Sequence, residues 1–293
     1  MANRIPAAAV RAAASPYVAG DSLGGALELA DSLWRERGMA TTLDALGEEV
    51  RTAAQTDEAL ALYQRAADSA VDRPWVTLSI KPGQFGCRLD EQVCERQVRA
   101  LADRCEAQGT GLTLDMEDTA LTDGTIALYR RLRPEFSTLG MVLQTKLYRT
   151  ERDLDSLATV GGRVRLCIGV YDVPAKLGFR RKTEAKDNLL RLLPRALDVL
   201  DRVEIATHDE DVIRQARRIV EASAGGRDRV EFQMLLGVPR QHLQDELVAA
   251  GYAVRLYLPF VDQWDDAEAY LRRRLAESPS LAGLVMRNLV SSG

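Results

Sequence analysis

Residues 269–279 read AYLRRRLAESP, three consecutive arginines in a chain whose formal net charge is −4. At about 100° per residue, Tyr270, Arg273, Arg274 and Glu277 share one helix face, being three and four positions apart. Arg272 projects roughly opposite. One reading is an exposed helix with an Arg273–Glu277 pair, worth roughly 0.2–0.5 kcal/mol. The other is chemical. Two adjacent guanidinium groups beside a tyrosine make a receptor for a carboxylate, through charge-assisted and bidentate hydrogen bonds.

Other residues able to do chemistry are spread along the chain: Glu48, Lys81, Asp115, Glu117, Gln144, Lys146, Tyr171, Thr207, His208, Gln233 and Tyr257. Each stands at or just beyond the end of a short β-rich run. Singly they say little. Lys81 is as readily a rim lysine as a site group, and an isolated histidine such as His208 is more often structural than catalytic. Together they favour a large polar ligand. Lys81 at a strand end also suits a Schiff-base lyase or aldolase. The segment LLGVPRQ is a poor phosphate loop, which disfavours a phosphosugar enzyme. Four cysteines without a CxxC pair, and only two histidines, give no zinc spacing; no metal is expected. Reduced thiols fit a cytoplasmic protein.

These residues need elements to hold them. Strands are expected at about 41–46, 75–80, 111–116, 141–146, 164–170, 202–207, 229–235 and 253–258, with a helical segment after each. Regular β-then-α alternation means parallel strands joined by crossover helices. Eight such units predict an α/β fold of the (β/α)8 TIM type, whose chemistry sits at the C-terminal strand ends. No GxGxxG follows the first strand, which weakens an open doubly wound sheet. The boundaries are a helical extension over 1–37 and a catalytic barrel over 38–293. Within the extension, DSLGGALELADSLWRERG reads as a capped amphipathic helix on the outside or bottom of the barrel. A last helix starting near DQWDDAEAY would carry the arginines into the active site. The net charge argues against nucleic-acid binding. No apolar run approaches the roughly 18 residues of a membrane span.

The arrangement of Tyr270, Arg273, Arg274 and Glu277 resembles the last-helix signature of the proline dehydrogenase family, a tyrosine followed by an arginine pair and a glutamate. TLDALGEE, LSIKPGQFG, LTLDMEDT, VLQTKLYRTERDL, VRLCIGVY, IATHDEDVI and EFQMLLGV resemble family segments in the family order, over residues 40 to 290. The resemblance is to the monofunctional bacterial type. It implies an FAD-dependent flavoprotein that oxidises L-proline to 1-pyrroline-5-carboxylate by hydride transfer to flavin, the first step of proline catabolism to glutamate. It further implies that Arg273, Arg274 and Lys81 bind the substrate carboxylate. Tyr257, Leu235 and Tyr171 would pack at the proline ring, with Tyr270 beside the arginines. Asp115 would orient its neighbours, and Glu48 would pair with Arg273 to close the site. Gln144, Arg165, Gly169, Thr207, His208 and Glu277 would hold FAD. A quinone-type electron acceptor and at most peripheral membrane contact, at the inner face, are also implied.

One segment departs from the family pattern. Its usual lysine-glycine-alanine-tyrosine is here Ile168-Gly169-Val170-Tyr171. A charge expected near the flavin is gone, and two added methyl groups at Val170 reshape the ring pocket. Two alternatives follow: a relative oxidising another cyclic or secondary amino acid, and a lapsed barrel that binds a carboxylated ligand without flavin.

Overall fold

Short runs alternating charged and apolar residues build one closed sheet. The computed structural model describes residues 15–47 and 50–262. Its strands are β1 (Ala40–Ala45), β2 (Val76–Ile80), β3 (Gly111–Leu114), β4 (Leu139–Gln144), β5 (Arg163–Cys167), β6 (Arg202–Ala206), β7 (Val230–Leu235) and β8 (Ala253–Phe260). All neighbours pair in parallel, in sequence order, and β8 closes on β1 from Ala40 opposite Arg255 to Ala45 opposite Phe260. This is the (β/α)8 barrel expected from the sequence, with every strand found.

The helices are α1 (Leu23–Arg37), α2 (Ala53–Ser69), α3 (Glu91–Gln108), α4 (Thr122–Leu132), α5 (Thr150–Leu157), α6 (Lys182–Val199), α7 (Glu210–Glu221) and α8 (Gln241–Ala249). Their ends follow local chemistry. Thr52 and Gln55 form a reciprocal capping box on α2, and the Asp90 carboxylate accepts the backbone N–H groups of Gln92 and Val93 at the start of α3. The expected N-terminal helix is α1, capped by Ser22 and stopped by Gly38 in the left-handed region. It packs on the outside of the barrel against β1 and β8. Its ring contact is Trp34, stacked on Trp75 at 5.5 Å, and Arg37 reaches Asp245 of α8 at 2.7 Å.

Inside the barrel the strands carry charge. Arg163, Arg165, Glu204, Glu231 and Arg255 alternate with the buried residues Val164, Leu166, Val203, Phe232 and Val254, which belong to the apolar core. The charged set meets across the interior. Arg163 Nη1 donates to Glu204 Oε1 at 2.8 Å, and Arg255 Nε to Glu231 Oε1 at 2.6 Å. Arg255 also reaches over β1 to Thr77 Oγ1 at 3.1 Å. Buried ions are tolerable only when paired and hydrogen-bonded in this way.

Candidate active site

Two arcs of strand ends make the site. The first runs from β8 through β1 and β2 to β3, and it is built on two carboxylates. Asp44 is buried at the end of β1, and Lys81, just past β2, donates to both of its oxygens at 2.5 and 2.6 Å. Tyr63 of α2 donates to the Ser79 carbonyl at 2.8 Å and lies 3.3 Å from Asp44 Oδ1. Burial pushes the Asp44 carboxyl up from its ordinary value, and the Lys81 ammonium works against that rise.

Asp115 organises the rest of this arc. Its Oδ1 accepts Ser79 Oγ at 2.7 Å and Arg165 Nη1 at 2.8 Å, while Oδ2 accepts the Tyr257 hydroxyl at 2.6 Å. The Arg165 guanidinium also lies 5.3 Å from the Tyr257 ring centre, a cation–π contact. Burial, then the Asp115 charge, raises the Tyr257 phenol well above its ordinary value, so it stays a neutral donor. Glu117 holds the turn after Lys81, accepting the Gly83 N–H at 2.6 Å.

The second arc runs from β4 to β7. Gln144 Nε2 donates to the carbonyls of Met116 and Glu117 at 2.9 and 2.8 Å. Gly169 has φ +96, and a Cβ there would stand 2.8 Å from Gln144 Oε1. Any other residue would be both strained and blocked. Thr207 Oγ1 accepts the Asp209 N–H at 3.2 Å. His208 Nε2 accepts the Leu235 N–H at 2.8 Å, which leaves the proton of a neutral ring on Nδ1. Burial, aided by Arg240, brings the imidazole down to about 4, so the neutral ring prevails at pH 7. Lys146 Nζ donates to the Tyr171 carbonyl at 2.8 Å and anchors the β5–α6 loop, on which Val170 is exposed.

Arg165 joins the arcs. It is buried, yet its Nε and Nη2 have no hydrogen-bond partner among the described residues, and Glu204 Oε2 stands 3.5 Å from Nε. A flavin ring edge offers carbonyl and imine acceptors. A guanidinium with idle N–H groups and an imidazole Nδ1–H, at one end of the barrel with a glycine where a side chain would block approach, form a donor set that fits it.

The structure therefore brings Lys81, Asp115, Arg165 and Tyr257 into one network, sets Gln144 against Gly169, and joins His208 to Leu235. Thr207 and Tyr171 sit on the adjoining loops. Glu48, Tyr270, Arg273, Arg274 and Glu277 lie outside the described residues. Among the described residues no cluster of metal-binding side chains occurs. Asp44, Ser79 and Glu204 were missed from the sequence. The first strand was expected to run to residue 46, which drew attention to Glu48; it ends at Ala45, and Asp44 is the carboxylate that meets Lys81. The legible signal was phase, since Asp44 alternates with Thr42, which bonds Thr77 inside the barrel at 2.9 Å.

Comparison with known proteins agrees with the barrel fold. A sequence model of the family described as proline dehydrogenase matches residues 26–171 and 174–287. The proline dehydrogenase of Deinococcus radiodurans is 34% identical over 284 residues, covering 94% of this chain and 90% of its own. Proline dehydrogenase 1 of Bacillus subtilis strain 168 is 29% identical over 281 residues, covering 96% and 91%. Among solved structures, proline utilization A from Bdellovibrio bacteriovorus, inactivated by N-propargylglycine, superposes with a TM-score of 0.80 at 21% identity. That match covers 94% of this chain but 34% of the longer protein, and it speaks for the fold.

Proposed function

Because the chain belongs to the proline dehydrogenase family, we propose that it oxidises L-proline to 1-pyrroline-5-carboxylate, the first step of proline catabolism, as an FAD-dependent oxidoreductase acting on a CH–NH group. The observation that carries this reading is the network Lys81–Asp44 and Arg165–Asp115–Tyr257 at the open end of the barrel. Bound FAD supplies the two-electron acceptor for the substrate hydride. In this proposal Gln144, Arg165, Gly169, Thr207 and His208 hold it, together with Glu277.

The residues themselves bind and orient. Lys81, with Arg273 and Arg274, takes the substrate carboxylate. Asp44 holds the Lys81 ammonium in place, so binding costs little side-chain freedom. Among the described residues Lys81 is paired with Asp44, and Arg165 with Asp115 and Glu204. In this proposal Arg273 and Arg274 add the further attraction for a carboxylate. Clustered cations also favour the deprotonated substrate amine, whose lone pair assists departure of the hydride from the ring carbon. Tyr257, fixed through its hydroxyl to Asp115, offers its ring face to the proline ring, with Leu235 and Tyr171 completing the apolar wall and Tyr270 beside the clamp. Glu48, paired with Arg273, closes the site.

Two other readings lose ground. A Schiff-base lyase needs a neutral amine at Lys81, whereas two carboxylate oxygens of Asp44 favour the ammonium. A lapsed barrel would give no role to Arg165 Nη2, which is buried without a hydrogen bond among the described residues. The proposal extends to the helical extension over 1–37, the catalytic barrel over 38–293, and a quinone-type acceptor reached by peripheral membrane contact. No described helix is long and apolar enough to cross a membrane.

The visible spectrum of the purified protein tests the reading. A flavin band that bleaches on anaerobic addition of L-proline is expected. Colourless protein that cannot be reconstituted with FAD would overturn it. A flavin band that another cyclic amino acid bleaches, and proline does not, would move the substrate assignment.

A further inference from the structure

Behind the candidate site a carboxylate stands between two arginines. Glu204 of β6 pairs in register with Arg165 of β5, and both side chains are buried. Glu204 Oε1 accepts Arg163 Nη1 at 2.8 Å. Its other oxygen, Oε2, faces Arg165 Nε at 3.5 Å and makes no hydrogen bond; Arg165 Nη2 makes none either among the described residues. Two buried groups of opposite charge thus stop just short of the fork that a guanidinium and a carboxylate ordinarily close.

Arg163 accounts for the gap. Its Nη1 also donates to Thr113 Oγ1 at 2.9 Å, and its Nη2 to the carbonyls of Leu112 and Thr138, both at 3.2 Å. Two glycines make room for this guanidinium. A Cβ at Gly111 would stand 3.1 Å from Nη2, and one at Gly140 would stand 3.1 Å from Cζ. Arg163 is therefore fixed to β3 and to the start of β4, and it holds Glu204 Oε1 with it.

We propose that Arg163 and Glu204 are positioning residues for Arg165: Arg163 tethers the Glu204 carboxylate, which neutralises Arg165 by charge alone and leaves its N–H groups for the flavin. The inference rests on the FAD-dependent reading above. A buried guanidinium needs opposing charge close by. Asp115 supplies part of it and takes up Nη1 at 2.8 Å. An untethered carboxylate at Glu204 would supply the rest by closing on Nε and Nη2, and it would spend the donors that a ligand needs. Held by Arg163, it supplies charge and spends none of them. Burial opposes ionisation of Glu204, but the charges of Arg163 and Arg165 outweigh it and bring the carboxyl down to about 2, so the carboxylate is ionised at pH 7.

Dissociation constants for FAD, read by flavin fluorescence on the apoprotein, test the tether. Arg163→Gln frees Glu204 to close on Arg165, so FAD should bind roughly tenfold more weakly, the scale of one hydrogen bond to a charged group. Combining Arg163→Gln with Glu204→Gln removes the closing carboxylate and should restore most of the affinity. A merely structural role predicts the reverse, with damage accumulating in the double variant. An unchanged constant in folded Arg163→Gln, or a double variant that binds no tighter than the single one, would overturn the proposal. Should Arg163→Gln fail to fold, Glu204→Gln decides. Loss of a negative charge beside Arg165 should shift the flavin midpoint potential in the positive direction, and an unshifted potential would overturn the proposal. Wild-type protein that takes up no FAD would sink the functional reading and this inference together; wild-type uptake with unaltered variants would sink the tether alone.

Discussion

At the scale of single residues, the ion pair between Lys81 and Asp44 separates binding from stability. Lys81→Met removes the cation and strands a buried carboxylate, a loss that costs about 3–5 kcal/mol when a buried charge is left unpaired. Because burial already lifts the Asp44 carboxyl, protonation relieves part of that cost at low pH. The expected outcome is a large fall in kcat/KM for proline and a lower urea midpoint. Adding Asp44→Asn to Lys81→Met should restore much of the midpoint and none of the kcat/KM. Equal loss of stability in the double variant would mean the pair is not coupled. His208 gives a second residue-scale expectation. Its ring is neutral in the folded chain down to about 4, against an ordinary 6.5 in the unfolded chain. Between those values the unfolded state binds the extra proton, so stability is fully present above pH 6.5 and declines as pH falls towards 4. Each pKa unit is worth about 1.4 kcal/mol, so the loss is at most roughly 3 kcal/mol. Urea midpoints between pH 7 and 4.5 should fall less steeply in His208→Gln than in the wild type.

At the scale of elements, Gly169 shows how a strand end is set by local backbone geometry. It was expected inside a strand running to residue 170, but β5 stops at Cys167 because the chain turns through a positive φ at Gly169. Gly169→Ala should push against Gln144, whose amide holds the carbonyls of Met116 and Glu117. The expected result is weakened FAD retention, read as a raised dissociation constant by flavin fluorescence, with far-ultraviolet circular dichroism unchanged. An unaltered constant would remove Gly169 from the cofactor site. Elements of this kind were legible from the sequence because apolar periodicity and caps are local signals; Ser22, Thr52 and Asp90 each cap a helix through their own side chains. Strand ends were less legible. A ladder stops where its neighbour stops, and the partners of Ala45 and Leu114 lie far away in sequence. That is why the Asp44–Lys81 pair stays hidden in the sequence. The bond from Tyr257 to Asp115 spans 142 positions, and only the closed barrel reveals it.

At the scale of the whole molecule, the charges inside β5 to β8 act on assembly as well as on the site. Arg163 and Arg165 face Glu204, and Arg255 faces Glu231, while the residues between them point into the apolar layer under the helices. A strand that slipped by one position would exchange these faces. For β6 the slip would drive Glu204 beneath the helices and set Ile205 among two orphaned arginines. A barrel lined with interchangeable valines and leucines would tolerate several threadings at little cost. This one carries a key cut in positive and negative charge, and a single alignment of the last four strands turns it.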